Sequence, residues 1–200
     1  RDQLRDAVET LTAALGAEHP NTLGARMDLA NALARCDEYE EAEKLLVELL
    51  DACPRVLGED DTLTIFTNNS YALLLMKRDR LAKAEPYLRK ALDAGRRVQG
   101  ADHRDTIVTQ INLSVALRDL GKLEEAEAVG RDALERMTRA VGSAHLYTGH
   151  AHAELGETLL AMGRKAEGEQ ALETAIAITK AATGEQNPVF WNDALLLGRS

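Results

Sequence analysis

The sequence predicts an all-α chain, an α-solenoid of stacked antiparallel helix pairs. Three observations predict it. A glycine returns every 42 residues, at Gly16, Gly58, Gly100, Gly142 and Gly184. Two large apolar positions four residues apart return in the same frame, and a small residue returns at a fixed distance after each pair. Self-similarity at such a period marks a repeat architecture, in which each unit buries its apolar face against its neighbours.

Each repeat opens on a short phrase after the glycine: Ala-Glu-His-Pro-Asn-Thr from Ala17, Ala-Asp-His-Arg-Asp-Thr from Ala101, and Ser-Ala-His-Leu-Tyr-Thr from Ser143. Thr22, Thr64, Thr106 and Thr148 hold one register. A first helix, A, follows. Leu29, Tyr71, Leu113 and Leu155 are succeeded four residues later by Leu33, Leu75, Leu117 and Leu159, the spacing of one helical face. Polar breaks at 36–39, 77–80, 119–122 and 162–165 end helix A. They carry Asp37, Asp79, Gly121 and Gly163 in one register, where Asp can cap the next helix and Gly can end the previous one. Helix B then places Ala42, Ala84, Ala126 and Gly168 four residues ahead of Leu46, Leu88, Gly130 and Leu172. Leu49, Ala91, Ala133 and Ala175 come three residues later still. Small side chains on a buried face let A and B approach closely. Pro86 falls inside its helix B and predicts a local irregularity without a break.

The frame divides the chain into repeats 16–57, 58–99, 100–141 and 142–183. Residues 1–15 fall in the register of a second helix, with Leu4 and Ala7 at the Leu46 and Leu49 positions. Asn187-Pro188 opens a further helix A or a terminal cap over 184–200, whose Val189, Phe190, Trp191 and Leu195 to Leu197 lack a helix B of their own. The expectation is a segment of a longer array, with self-association through its exposed ends.

Composition excludes several function classes. The chain has 24 Lys plus Arg against 33 Asp plus Glu, a net charge of −9, which disfavours nucleic acid and anionic lipid. The longest apolar run, Tyr71 to Met76, is far too short to span a bilayer. Seven aromatics are scattered over both helices, whereas single-strand binding wants stacking platforms in a basic groove. Cys36 and Cys53 form no framework or Cys/His cluster, read as small core residues, and suit the reducing cytoplasm.

Leu29-Ala30, Tyr71-Ala72, Leu113-Ser114 and Leu155-Gly156 on helix A, with Ala42/Leu46 and Ala84/Leu88 on helix B, resemble the tetratricopeptide repeat (TPR). The 42-residue period and the Gly-x-x-His-Pro-x-Thr phrase resemble the kinesin-light-chain type and its bacterial relatives. The departures are Gly130 for the large helix B residue, Gly168 for the small Ala, and Asp61-Thr62 in place of His19-Pro20. The resemblance implies a right-handed superhelix whose concave face, lined by the A helices, binds peptides.

Read on that frame, the face offers Met27, Asp28, Asn31 and Arg35 in repeat one, and Asn69, Ser70, Leu73, Met76 and Lys77 in repeat two. Ile111, Asn112, Val115 and Arg118 follow in repeat three, and Glu154 and Glu157 in repeat four. Asp28, Ser70, Asn112 and Glu154 share a register suited to hydrogen-bonding a peptide backbone, and Met27, Leu73, Met76 and Val115 supply apolar contact. Arg35, Lys77 and Arg118 bring a cation near the end of three A helices of an acidic chain, which points to an acidic peptide. The same residues also complement the helix dipole, at about 0.3–1 kcal/mol each, and the Asn residues also read as water-facing.

No metal, cofactor or catalysis is expected. His19, His103 and His145 sit in repeats one, three and four, separated by at least one stacked helix pair of roughly 8–10 Å, too far apart to share a zinc, and read as loop-packing or capping residues. His150, Glu154 and Glu157 share a face and leave a remote acid–base option, against an ion pair with Arg118. No nucleophile elbow, P-loop or dinucleotide fingerprint occurs. The expected function is a non-enzymatic protein-interaction scaffold that binds a partner's peptide segment on its A-helix face. The alternative is a regulatory or oligomerising segment of a larger bacterial signalling protein with a kinase or nucleotide-binding switch domain.

Overall fold

The helices start where the 42-residue frame puts them. A computed structural model describes residues 2–183, and among the described residues there are nine α-helices and no strand. The A helices are α2 (Pro20–Arg35), α4 (Thr62–Lys77), α6 (Arg104–Asp119) and α8 (Leu146–Ala161), each of 16 residues. The B helices are α1 (Asp2–Leu15), α3 (Tyr39–Leu57), α5 (Leu81–Val98), α7 (Leu123–Val141) and α9 (Lys165–Thr183). They group into two compact units, Arg1–Val98 with α1 to α5 and Gln99–Ser200 with α6 to α9. The further helix A expected over 184–200 lies outside the described residues.

The recurring phrase is a helix start. Residues 16, 58, 100 and 142 have φ between +94° and +100°, a backbone region open to glycine, and nothing lies within 4 Å of a Cβ built at any of them. Conformation, then, and not space, demands glycine there. Three residues on, Nδ1 of His19, His103 and His145 accepts the backbone N–H of Asn21, Asp105 and Tyr147 at 3.2, 3.3 and 3.2 Å. Asp61 does the same work where the phrase departs from His, its Oδ1 accepting the N–H of Leu63 at 2.8 Å. Each satisfies one orphan donor at the start of its A helix. The buried Thr64 and Thr148 hydroxyls then donate to the carbonyls of Gly58 and Gly142, both at 2.7 Å, tying the helix back to the turn. Thr106 donates to Gln99 Oε1 instead, and buried Thr22 Oγ1 has no partner among the described residues.

The polar breaks are helix stops, which corrects the capping role expected of the aspartates. Asp37 and Asp79 have φ of 61° and 56°, matching Gly121 and Gly163 at 76° and 77° in the same register. This left-handed residue lets the next N–H reach back five residues: Arg80 to Leu75 O at 2.8 Å, Lys122 to Leu117 O at 2.9 Å, Arg164 to Leu159 O at 2.9 Å. The N-cap positions of α3 and α7 are Glu38 and Lys122, neither making a side-chain cap. Asp37 accepts instead from the Tyr39 hydroxyl.

The core follows the helix B stripe. Ala42, Ala84, Ala126 and Gly168 are buried, as are Leu46, Leu88, Gly130 and Leu172, and Leu49, Ala91, Ala133 and Ala175. Leu4 of α1 packs against the unit 1 cluster from the Leu46 position, and the second α1 residue packed there is Val8, one beyond the Ala7 that the register pointed to. In the last pair, α8 and α9, the backbones approach closely. A Cβ on Gly168 would lie 2.7 Å from Leu160 Cγ and 3.0 Å from the carbonyl oxygen of Gly156. Pro86 sits inside α5 and Pro54 inside α3, and both helices run through. The two cysteines separate: Cys53 is buried, accepting from the Thr67 hydroxyl at 3.7 Å, whereas Cys36 ends α2 and is exposed, contrary to the expectation that both are core residues.

Two glycine substitutions therefore act in opposite directions. Gly168→Ala should lower stability by about 1–2 kcal/mol in denaturant melts, because overpacking against Leu160 and the Gly156 carbonyl outweighs the gain in helix propensity. Gly130→Ala should raise it by about 0.5–1 kcal/mol, since its Cβ would meet Leu155 and Ser114 at an ordinary 3.7 Å. Likewise Thr148→Val should cost about 1 kcal/mol while Thr22→Val should be neutral or stabilising, because only the first breaks a hydrogen bond.

Candidate functional site on the A-helix faces

In unit 1 the candidate surface is built from α2 and α4, which touch one another as successive A helices. On α2, Asp28 and Arg35 are exposed and Asn31 is half-buried. On α4, Ser70, Leu73 and Met76 are half-buried and Lys77 is exposed. Asn69 is half-buried and bonded within the fold. Arg35 and Lys77, 42 residues apart in one register, have no carboxylate partner among the described residues. Their positive ends stand free at the close of two adjacent helices.

Two predicted site residues are corrected. Met27 is 4% exposed and Ile111 2% exposed, each inside a core cluster. The reason is angular. Leu23, Met27 and Ala30, like Ile107, Ile111 and Ser114, step by four and three residues along one ridge, and that ridge faces helix B. The position two residues before the Leu29 register therefore belongs to packing.

A residue overlooked in the sequence joins the site. Phe66 is 38% exposed and continues the stripe Phe66, Ser70, Leu73, Lys77 at steps of four, three and four. The signal was its register. It stands where the other A helices carry Gly24, Val108 and His150, which hides it from any search for a recurring residue type.

In unit 2 the corresponding surface is electrostatically closed. Asn112 and Val115 of α6 are half-buried. Arg118 Nη1 donates to Glu154 Oε2 at 2.9 Å and meets Glu157 Oε2 at 2.8 Å, while its Nε reaches Asp119 Oδ1 at 3.0 Å. His150 Nε2 lies 3.3 Å from Glu154 Oε1. The third expected cation is thus neutralised by carboxylates of α6 and α8. Burial resists ionisation of Glu154, but the His150 hydrogen bond and the Arg118 charge outweigh it and hold its pKa below the ordinary value. For Glu157 burial prevails over the shared Arg118, and its pKa is raised. Burial likewise opposes the charge of Arg118, yet Glu154, Glu157 and Asp119 together raise its pKa. The set is an ion-pair hub joining two repeats. Among the described residues no group of three or more His, Cys, Asp or Glu is placed to hold a metal ion. No described helix is long and apolar enough to cross a membrane.

Comparison with known proteins bears on these repeats directly. A family model described as tetratricopeptide repeat matches residues 64–139 and 115–181, and a second of the same description matches residues 22–62. The chain belongs to the tetratricopeptide-repeat family. Repeats of this family act as protein-interaction scaffolds. Among solved structures, the nearly identical TPR-like repeats of a Podosopora anserina putative kinesin light chain align with a TM-score of 0.74 at 20% identity, over 91% of this chain and 86% of that one. BtubC (BKLC) from P. vanneervenii aligns with a TM-score of 0.77 at 19% identity, over 92% and 73%. PlcR of Bacillus thuringiensis, solved in complex with the peptide PapR7 and DNA, aligns with a TM-score of 0.73 at 19% identity, over 98% and 69%. These establish a shared fold. A sequence search of curated proteins found no match.

The hub makes a pH prediction for this TPR chain. A lowered folded pKa contributes stability above the ordinary value of 4.5 that is lost as pH falls through the folded pKa; a raised one contributes below 4.5 and is lost as pH rises. Glu154→Gln should therefore lower the melting temperature at pH 7, with a deficit that shrinks below pH 4.5. Glu157→Gln should leave it unchanged or raise it at pH 7. Thermal melts of both variants from pH 3 to 8 check the contrast, and equal deficits at pH 7 would refute it.

Proposed function

We propose that this TPR chain is a non-enzymatic interaction module that captures a short acidic peptide segment on the unit 1 surface formed by α2 and α4. The observation that carries the reading is the pair Arg35 and Lys77: two exposed cations in one register, without carboxylate partners among the described residues, on a chain of net charge −9. Phe66 and Leu73 lie on the same stripe and supply apolar contact area, while Asp28, Asn31 and Ser70 supply hydrogen-bonding groups for a peptide backbone. That PlcR was solved with a peptide bound supports the mode. Unit 2 serves differently in this reading. Its Arg118 is occupied by Glu154 and Glu157, so the unit contributes rigidity and offers little attraction to an anionic partner. Placement in a reducing compartment, the cytoplasm, suits the exposed free thiol of Cys36.

The test is binding of a fluorescein-labelled peptide of alternating Glu and Leu, followed by anisotropy at two salt concentrations. Arg35→Glu combined with Lys77→Glu should weaken binding by at least about tenfold, chiefly at low salt. Phe66→Ala should weaken it by a salt-independent factor of about 3–10. Equal binding by the charge-reversed protein, or preference for the Lys/Leu counterpart, would sink the proposal.

A further inference from the structure

On roughly the opposite side of α8 from Glu154 and Glu157, unit 2 carries a hollow of about 230 Å³ between α7 and α9. Its apolar walls are Leu134, Leu155, Leu159 and Ala171, and His152, Gln170 and Thr174 supply polar groups. The other repeats show how this space is normally used. In repeat two the residues at the Leu155 and Ala171 positions are Tyr71 and Tyr87, whose rings meet edge to face at 4.9 Å. At the Ala171 position repeats one and three carry Leu45 and Val129, so repeat four has the smallest side chain of the four.

The polar pairing is missing from repeat four as well. At the His152 position repeat one has Arg26, paired with Glu48, and repeat three has Gln110, which donates to Asp132 Oδ2 at 2.8 Å and to Val129 O at 3.0 Å. Glu48 and Asp132 occupy the Thr174 position, where the Thr174 hydroxyl instead donates to its own helix at Gln170 O, 2.9 Å away. His152 has no hydrogen-bond partner among the described residues. Burial lowers its pKa, so at neutral pH the ring is uncharged and can both donate and accept.

We propose that this hollow is a binding site for a neutral phenolic ring, the side chain of a tyrosine on a partner peptide, which would sit where Tyr87 places its own ring in repeat two and hydrogen-bond His152. Size permits it, since a hydrophobic cavity of roughly 150 Å³ suffices for benzene. Charge argues for neutrality. The rim residues Arg131 and Glu167 are tied into a network with Glu127 and Arg164, two cations against two carboxylates, which leaves no net field to draw an ion. The site is independent of the acidic-peptide surface, being in another unit and on a different helix stripe.

The probes are N-acetyltyrosinamide, p-cresol and toluene, titrated into the full chain while the His152 imidazole resonances are followed by NMR. N-acetyltyrosinamide and p-cresol should shift those resonances saturably with a dissociation constant on the order of 1 mM, and toluene should bind about tenfold more weakly. Ala171→Tyr should fill the hollow from within and abolish binding while the protein stays folded by its melting curve. His152→Phe should remove the preference for p-cresol over toluene. Binding of p-cresol without N-acetyltyrosinamide would overturn the peptide source. Absence of any saturable shift, or undiminished binding in a folded Ala171→Tyr protein, would overturn the site itself.

Discussion

The close seating of each helix B on its helix A is the constraint on which the remaining features depend. Ala42, Ala84, Ala126 and Gly168 carry so little side chain that the large residues of the facing helix reach past them, and Leu46, Leu88 and Leu172 are buried as a result. Full burial of a Leu contributes roughly 1.5–3 kcal/mol, and no pair could bury its leucines if the small position were large. Repeat four takes this furthest. With Gly156 and Gly168 facing one another, a Cβ on either would press on a leucine of the facing helix, Leu172 or Leu160, and on the opposite backbone oxygen, and the helices have no room for a methyl group.

Turn chemistry then sets the frame that delivers those small residues to the right place. A left-handed glycine ends helix B, a His or Asp side chain caps the next helix A, and a threonine hydroxyl closes the loop in repeats two and four. A second left-handed residue ends helix A. Because the glycine, the cap and the second left-handed residue are local devices, they recur in all four repeats, while the threonine bond does not. Surface ion pairs follow the same frame, with Arg55 to Glu18 and Arg97 to Asp60 joining the last turn of helix B to the loop before its own helix A. Both pairs are solvent-exposed and so add little to stability.

Function separates from this scaffold where the repeats differ. Arg35 and Lys77 remain unneutralised, whereas Arg118 is absorbed by Glu154 and Glu157. Phe66 stands in a register otherwise held by Gly, Val and His. Tyr71 and Tyr87 fill a space that Leu155 and Ala171 leave open. Repetition builds the support, and the departures from it distinguish one surface from another.

The sequence by itself determined the period, the helix starts, the capping histidines and the buried stripe of helix B, because each depends on contacts within about one turn or one repeat and so leaves a periodic trace. Side-chain orientation around helix A was less legible. Met27 and Ile111 lie one residue from exposed or half-buried neighbours, and the 100° between adjacent positions becomes inward or outward only once helix B is in place. The fate of the cations was legible in part. Arg118 lies one residue short of the Arg35 and Lys77 register, and the ion pair weighed for it from the sequence forms because α6 and α8 pack together and bring Glu154 and Glu157 to it. Asp37 and Asp79 looked like caps because their type is common there, while their left-handed backbone is a property of the turn as folded.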